Sequence, residues 1–475
     1  MRQFIGREDE LRFLAERYSS DQGELIVLYG RRRMGKTELL LEFCKDKPHL
    51  FYVCEECTDS EQLSNISKVA GETLGGNIGK SLSFEDWTSV FSFVGDVPAG
   101  NGGKRLMVID EFPFAVKNNK SMMSQLQNLW DHRLKKENIM LVLCGSSMSF
   151  IENDILGEKN PIYGRTTGIM KLEQMSFEDS WKFFPDKDAT EMSEIYSILG
   201  GVPHYLSQFD PDACLRDNIV KKILTKGSTL YSEVEFLLRQ ELREVSTYNT
   251  IASAVALGNT KLNDLYAKTN MEKSKVATYL VNLIELKIIT KEFPLDAGGG
   301  QLSGSHNGLY RISDNFFRFW YLFIFPNRTE LERGRQDDIY ELDVEPSLKV
   351  HASHVFEDIC MEYMRGCNTR RELPFRFLRI GRWWNKTSEI DILAVDKEKK
   401  NCIVGECKYK ESKVGNKEYR ELLAKRSPYR EAKVFLYLFS KNGFDEDVIE
   451  MSKKDKVTLI SLKDMFVRER KNDLS

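Results

Sequence analysis

The chain has 475 residues, with 69 lysines and arginines against 72 aspartates and glutamates, a formal net charge of −3. That length exceeds what one hydrophobic core serves, so several domains are expected. The near-neutral balance excludes a globally basic coat for nucleic acid, and any surface for a polyanion must be local. Nine scattered cysteines read as reduced thiols. No apolar run has the length of a membrane span, and the N-terminus lacks a signal-peptide pattern. A cytoplasmic protein without a membrane partner is expected.

To about residue 175, short apolar runs alternate with helical text. LIVLYG (25–30), LFYV (50–53), RLMVID (105–110), IMLVLCG (139–145) and GIMKL (168–172) are almost continuously apolar. Strands buried on both faces have this composition, which predicts a parallel sheet covered by helices. Cys54 and Cys57 form a C-x-x-C with no second pair at metal-ligand spacing, so Cys54 reads as a strand end. Residues 176–235 are helical. From 236 to 325, three helical patterns (about 237–257, 260–268 and 272–286) lead into IITKEFPL, the loop DAGGGQLSGSHNG and LYRIS. That is the order of a winged helix. Its candidate reading helix carries Lys273 and Lys275 but also Glu272 and Glu285, which leaves DNA binding and inter-domain packing both open. The aromatic NFFRFWYLFI is expected in a core, and the charged NRTELERGRQDD as a linker. A last domain, 345–475, opens with a helix containing HVFEDICMEYM, where His351 and His354 read as ordinary helix residues. A hairpin follows, then the helix KEYRELLAKR and the strand-like runs KVFLYLF and VTLISL.

GRRRMGKT (30–37) fits G-x-x-x-x-G-K-[ST] and stands after an apolar strand and at the start of a helix. Gly30 and Gly35 permit close approach of backbone N–H groups to phosphate oxygens. Lys36 would reach the β- and γ-phosphates, and Thr37 would give its hydroxyl to Mg²⁺. Arg31, Arg32, Arg33 and Met34 fill the loop and Glu38 the first turn; the three arginines read equally as a solvated patch. RLMVIDEF would deliver Asp110 to the Mg²⁺ shell and Glu111 to an attacking water. Ser146, after the next strand, is a candidate γ-phosphate sensor.

FIGREDEL (4–11), GRRRMGKT, LMVIDEF, LCGSS, YGR (163–165) and GGVPHYL (200–206) occur in an order that resembles the archaeal-type ATPases of the STAND/AAA-like P-loop class, over roughly the first 235 residues. The resemblance implies a P-loop core over 1–175, a helical lid over 176–235 and a winged helix behind it, with ATP and Mg²⁺ as cofactors. It implies Ile5, Gly6 and Arg7 near the adenine and Pro203 in the lid over the nucleotide. Arg165 is similar to the family's arginine near the sheet edge, and its contact with phosphate is open.

The hairpin EIDILAVDKEKKNCIVGECKYK (389–410) sets Asp391 opposite Glu406 if it folds about DKEKKN. Like charges facing across a ladder destabilise it, so something cationic is expected between them. Strict alternation puts Ile390, Ile392, Ala394, Ile403, Gly405 and Cys407 on one face. Glu389, Asp391, Glu406 and Lys408 gather at one end of the other. Opposed carboxylates with a nearby lysine can hold a hard divalent cation, which would activate water at a phosphoryl centre. An ordinary charge pair between Glu389 and Lys408 is the alternative. The spacing from Asp391 to Glu406 and Lys408, after a helix carrying Phe356 and Glu357, resembles the PD-(D/E)xK nuclease fold. It is similar in particular to the DUF234 domain fused to archaeal-type ATPases. That likeness implies Glu357, Asp391, Glu406 and Lys408 as catalytic, with Mg²⁺ or Mn²⁺ at Asp391 and Glu406 and DNA as partner. Trp383 and Trp384, read as preceding the first strand, are open to base stacking or to packing. Lys397, Lys399, Lys400 and the stretch Lys410–Arg430 could flank a DNA groove.

An α/β protein is predicted: a P-loop parallel sheet with a helical lid, a winged-helix domain and a restriction-endonuclease-like α/β domain. Two functions compete. One is an ATPase whose nucleotide state controls a metal-dependent nuclease on DNA. The other is a STAND-type switch whose C-terminal domain binds DNA, a protein partner or a second copy without cleaving.

Overall fold

The computed structural model describes residues 4–74, 81–99, 103–295 and 308–466. The glycine-rich segment 296–307, expected as the tip of the wing, lies outside the described residues. The chain forms two compact units: residues 1–175 with 202–204, and residues 176–201 with 205–475.

In the first unit the five apolar runs become β1 (Glu24–Tyr29), β2 (His49–Val53), β3 (Arg105–Asp110), β4 (Ile139–Gly145) and β5 (Gly168–Lys171). They form one sheet in the order β2-β3-β4-β1-β5, parallel throughout. Every residue of β1 and β4 is buried, as expected where helices cover both faces. Because β4 lies between β1 and β3, the carboxyl ends of these three strands adjoin. Ligands of open α/β sheets bind at such ends. Cys54 is buried and its N–H donates to Asp110 O at 2.8 Å. Its thiol is a strand-end group pushed far up by burial.

In the second unit, helices Val245–Ala256, Leu262–Thr269 and Lys273–Glu285 precede the antiparallel pair β6 (Ile289–Glu292) and β7 (Leu309–Ile312). The helix expected over 237–257 is two helices, Glu233–Glu241 and Val245–Ala256, separated where Leu242 turns extended. The aromatic segment packs inward as expected, burying Phe316, Phe317, Phe319, Trp320 and Tyr321. The segment read as a linker is not one. It forms helices Arg328–Glu332 and Gln336–Ile339, tied down by ion pairs Arg328–Glu235, Lys226–Glu332 and Arg216–Asp337. Its charges find partners far away in sequence, which local composition cannot report.

The long helix Glu345–Arg370 packs against β8 (Arg379–Trp384), β9 (Glu389–Val395) and β10 (Asn401–Lys408). With β11 (Lys433–Ser440) and β12 (Thr458–Ser461) these strands form a mixed sheet, β12-β11-β10-β9-β8. β9 runs antiparallel to both β8 and β10, whereas β11 and β12 continue from β10 in parallel. The helix Glu446–Asp455, not legible in the sequence reading, carries the crossover from β11 to β12. Trp383 and Trp384 lie inside β8, paired with Ile390 and Glu389, and Trp383 packs on the sheet core. No helix among the described residues is long and apolar enough to cross a membrane.

Candidate nucleotide site and C-terminal carboxylate centre

The loop between β1 and the helix Lys36–Cys44 is left-handed at Arg33 (φ 74°) and Gly35 (φ 80°). Glycine meets this without steric cost at Gly35, where ring carbons of Pro203 lie 3.8 and 3.9 Å from the position a Cβ would take. At Gly30 a Cβ would stand 2.4 Å from Leu172 O, so a side chain there would push the loop off β5. Met34 is buried, Arg31 and Arg32 are half-buried, and Arg33 and Glu38 are exposed.

Buried Lys36 donates from Nζ to Gly30 O at 2.9 Å and Arg31 O at 3.2 Å. The ammonium thus lies folded over the loop. The Thr37 hydroxyl donates to Asp110 Oδ2 at 2.6 Å, and Asp110 Oδ1 accepts the Glu111 N–H at 2.8 Å. Glu111 is itself left-handed, at φ 48°. Its carboxylate accepts the Ser146 hydroxyl at 2.8 Å and N–H at 3.3 Å. Thr37, Asp110, Glu111 and Ser146 therefore form one hydrogen-bonded row across the ends of β1, β3 and β4. A hydroxyl beside a carboxylate is a hard-oxygen donor set, which fits Mg²⁺.

Ile5 and Gly6 are half-buried, while Arg7 is buried. Arg7 donates to Met34 O at 3.3 Å, Glu173 O at 2.7 Å and Glu10 at 2.8 Å, bracing the phosphate loop against the chain beyond β5. Arg165 gives its fork to Asp131, at 2.9 Å from Nε and 2.8 Å from NH2, and a further bond to Pro161 O at 2.9 Å.

In the C-terminal hairpin the expected register holds from Cys402↔Val395 through Gly405↔Ile392. There the ladder gives way to a side chain: the Cys407 N–H donates to Asp391 Oδ2 at 2.8 Å. On the other edge Gly381 pairs with Leu393 but Trp383 pairs with Ile390. Asp391 and Ile392 thus stand together against Arg382, which is a β-bulge. The bulge breaks strict alternation. Ile390 joins the core of Leu393, Val395, Cys402 and Val404, a face from which the sequence reading had excluded it.

Arg382, 6% exposed, donates to Glu357 at 2.5 Å, Asp358 at 2.8 Å and Glu292 at 3.1 Å. Burial pushes Glu357 up while Arg382 pulls it down. Asp391 is held well above the usual carboxylate range by burial, then by the charges of Glu406 and Glu357. Glu406 is buried, with Oε1 on Lys408 Nζ at 2.8 Å and Oε2 in an ion pair with Lys425. Lys425 also donates to Glu389 O at 2.7 Å. The cation that the facing carboxylates demanded is present, and it is an ammonium. Among the described residues no group of three or more His, Cys, Asp or Glu side chains is arranged to hold a metal. A divalent ion at Asp391 and Glu406 would first have to displace a lysine. His351 is buried and pushed down to about 3 by desolvation, and its Nε2 lies 2.8 Å from Ser197 O, the packing role expected of it.

Arg382 and Lys425 were missed by sequence reading. A lone arginine within a strand hints at the first; nothing local marks the second.

Residues 4–209 match a family described as an ATPase domain predominantly from Archaea. Residues 320–422 match DUF234, described as archaea bacterial proteins of unknown function. An uncharacterized protein of Methanocaldococcus jannaschii is 33% identical over 425 residues, 89% of this chain and 91% of that one. The chain belongs to the archaeal-type ATPases with a C-terminal DUF234 domain. This archaeal-type ATPase also shares 46% identity over 44 residues, 9% of its length, with an uncharacterized ATP-binding protein of the same organism, covering 75% of the latter. Among solved structures it is similar to a Walker-type ATPase of Pyrococcus abyssi, at 21% identity and a TM-score of 0.48, over 67% of this chain and 96% of that one. The phosphate loop, Asp110, Glu111 and Pro203 all fall within the matched ATPase stretch, whereas Lys425 lies beyond the DUF234 match.

Proposed function

We propose that this ATPase hydrolyses ATP at the phosphate loop and uses its nucleotide state to control a metal-dependent, nuclease-type centre acting on DNA. The observation that carries the hydrolytic reading is the row Thr37–Asp110–Glu111–Ser146. The loop N–H groups and Lys36 bind the phosphates. Thr37 and Asp110 would hold Mg²⁺, which supplies charge neutralisation at the transferring phosphoryl group. Glu111, aimed by Ser146, takes the proton of the attacking water.

Control of the C-terminal centre is supported by the helix Ala189–Leu199. Ser193 Oγ lies 2.9 Å from Tyr409 OH, and Glu194 pairs with buried Lys441 at 3.5 Å. The Lys441 N–H in turn donates to Lys408 O at 3.0 Å. The same helix continues in sequence through Gly200, at φ 62°, and Gly201 to Pro203 beside Gly35. Nucleotide binding that moves Pro203 therefore pulls on a helix bonded to the strand of Glu406 and Lys408.

We read the three helices with β6 and β7 as a winged helix used for packing: Glu292 holds Arg382, and the Leu295 N–H donates to Arg382 O at 2.8 Å. DNA is assigned instead to the exposed Lys413, Lys417, Arg420 and Arg426, which make no ion pair among the described residues. Binding there weakens as salt rises.

A second reading, a switch that binds DNA without cutting it, is favoured by one feature. The lysines on Glu406 and Arg382 on Glu357 already neutralise the acids a nuclease would use. Incubating the full chain with duplex and single-stranded DNA, ATP and Mn²⁺ separates the two. The nuclease reading expects strand scission that Asp391→Ala abolishes. Salt-sensitive binding with no scission in either protein would establish the second reading.

A further inference from the structure

We propose that the end of the C-terminal sheet remote from Asp391 and Glu406 is a surface for single-stranded nucleic acid, where Arg376, Arg379, Lys397, Lys400 and Lys433 meet phosphates and the exposed apolar side chains among them meet unpaired bases. The proposal shares with the reading above only that the chain meets nucleic acid, and it needs neither a metal nor scission.

Strand register gathers these residues. Arg379 opens β8 opposite Val395 at the close of β9, and the Leu378 N–H donates to Val395 O at 3.2 Å. The turn 396–400 follows. Beyond it Asn401 pairs with Lys433 at the start of β11, and the Lys433 N–H donates to Lys400 O at 2.8 Å. Four adjacent strands thus present one rim. Asp391 is four residues from Val395 in β9 and Glu406 five from Asn401 in β10, on the order of 15 Å away at the rise of an extended chain. The hairpin lysines therefore stand at the opposite end of the sheet from Lys410, with which the sequence reading grouped them.

Over residues 376–379, 396–400 and 433 the rim holds six cations and two acids, in a chain of net charge −3. Asp396 is taken up by the turn, accepting the Lys400 N–H at 2.9 Å and the Asn401 side-chain amide at 2.7 Å. Arg376, Arg379, Lys397, Lys400 and Lys433 are exposed and make no ion pair among the described residues. Like charges held this close repel one another, and a polyanion relieves that repulsion while releasing its own counterions.

Charge alone would suit any acidic partner, and the apolar side chains between the cations narrow the choice. Leu378 is 71% exposed and Val434 41%. The half-buried rings of Phe375 and Phe435 meet with centroids 5.7 Å apart, and the Lys433 ammonium lies 5.1 Å from the Phe435 centroid. Unpaired bases lie on aromatic and apolar faces while their phosphates meet cations, whereas a duplex offers the rim phosphates only. The rim is also pre-set. The Asn368 side chain exchanges hydrogen bonds with the Phe377 backbone at 3.1 and 3.2 Å, and buried Phe377 holds exposed Arg376 and Leu378 on either side of it.

The test is fluorescence anisotropy of the full chain at low salt with three probes: labelled oligothymidine, a duplex of the same length and an abasic strand of that length. Wild type is compared with Arg376→Glu/Arg379→Glu/Lys433→Glu and with Lys417→Glu/Arg420→Glu. The triple variant is expected to bind oligothymidine about tenfold or more weakly than wild type, because phosphate contacts become repulsions, with duplex binding little changed. Wild type is expected to bind the abasic strand about tenfold more weakly than oligothymidine, the scale of losing base stacking. Oligothymidine bound equally by wild type and the triple variant, or by neither, would overturn the proposal. Equal binding of the abasic strand would also overturn it and leave a surface for any polyanion, an acidic protein included. Duplex binding unaffected in Lys417→Glu/Arg420→Glu would overturn the earlier DNA assignment and leave this one standing. If the variants do not fold, lysine acetylation of wild type read by mass spectrometry decides. Oligothymidine is expected to protect Lys400 and Lys433 severalfold and to leave Lys417 unprotected; unchanged labelling of Lys400 and Lys433 would overturn the proposal.

Discussion

Glu111→Gln will bind ATP and fail to turn it over. The carboxylate of Glu111 is held by the Ser146 hydroxyl and N–H, and the residue occupies a left-handed backbone that fixes where its side chain starts. Glutamine keeps the length and can still accept from Ser146, but it cannot take a proton from water. Loss of a positioned general base lowers turnover by about 10²–10⁴-fold. Phosphate release should fall by that factor, while ATP affinity by equilibrium dialysis changes little, because Lys36 and the loop are untouched. Equal loss of affinity and turnover would assign Glu111 to the architecture of the loop instead.

Arg382→Met should destabilise the second unit by about 3–5 kcal/mol, the cost of removing one partner from a buried ion pair. Arg382 is 6% exposed and serves Glu357 and Glu292, each 22% exposed, together with Asp358, which at 55% can turn to water. Most of the loss therefore comes from Glu357 and Glu292. Urea unfolding of the full chain should show the later residues melting earlier while the ATPase unit keeps its midpoint. Adding Glu357→Gln to the variant should recover part of the loss, since a neutral amide needs no counter-charge. A change below about 1 kcal/mol, the scale of an exposed pair, would mean that the acids relax into solvent.

What the sequence made legible follows from what is local. β1 and β4 are so uniformly apolar that no half-exposed strand or amphipathic helix fits them, and GRRRMGKT with LMVIDEF named the loop and its two acids. The hairpin register was legible because DKEKKN leaves one way to fold back. The bulge at Asp391 was not, because it is set by the pairing of β9 with β8, a strand whose tryptophans were read as lying outside the sheet. Arg382 and Lys425 escaped for the same reason: each is defined by partners on other elements. The charged run after Pro326 looked like solvated linker because its partners, Glu235, Lys226 and Arg216, stand about 100 residues away.

Nucleotide bound at the phosphate loop is expected to be felt at Glu406 and Lys408. Hydrogen exchange by mass spectrometry on the full-length Glu111→Gln protein, with and without Mg-ATP, tests it most directly. Altered exchange is expected in the loop 30–37, in the helix Ala189–Leu199 and at residues 405–410, the end of β10 and the two residues after it. Changes confined to residues 1–175 and 202–204 would contradict it and leave an ATPase whose C-terminal centre works independently.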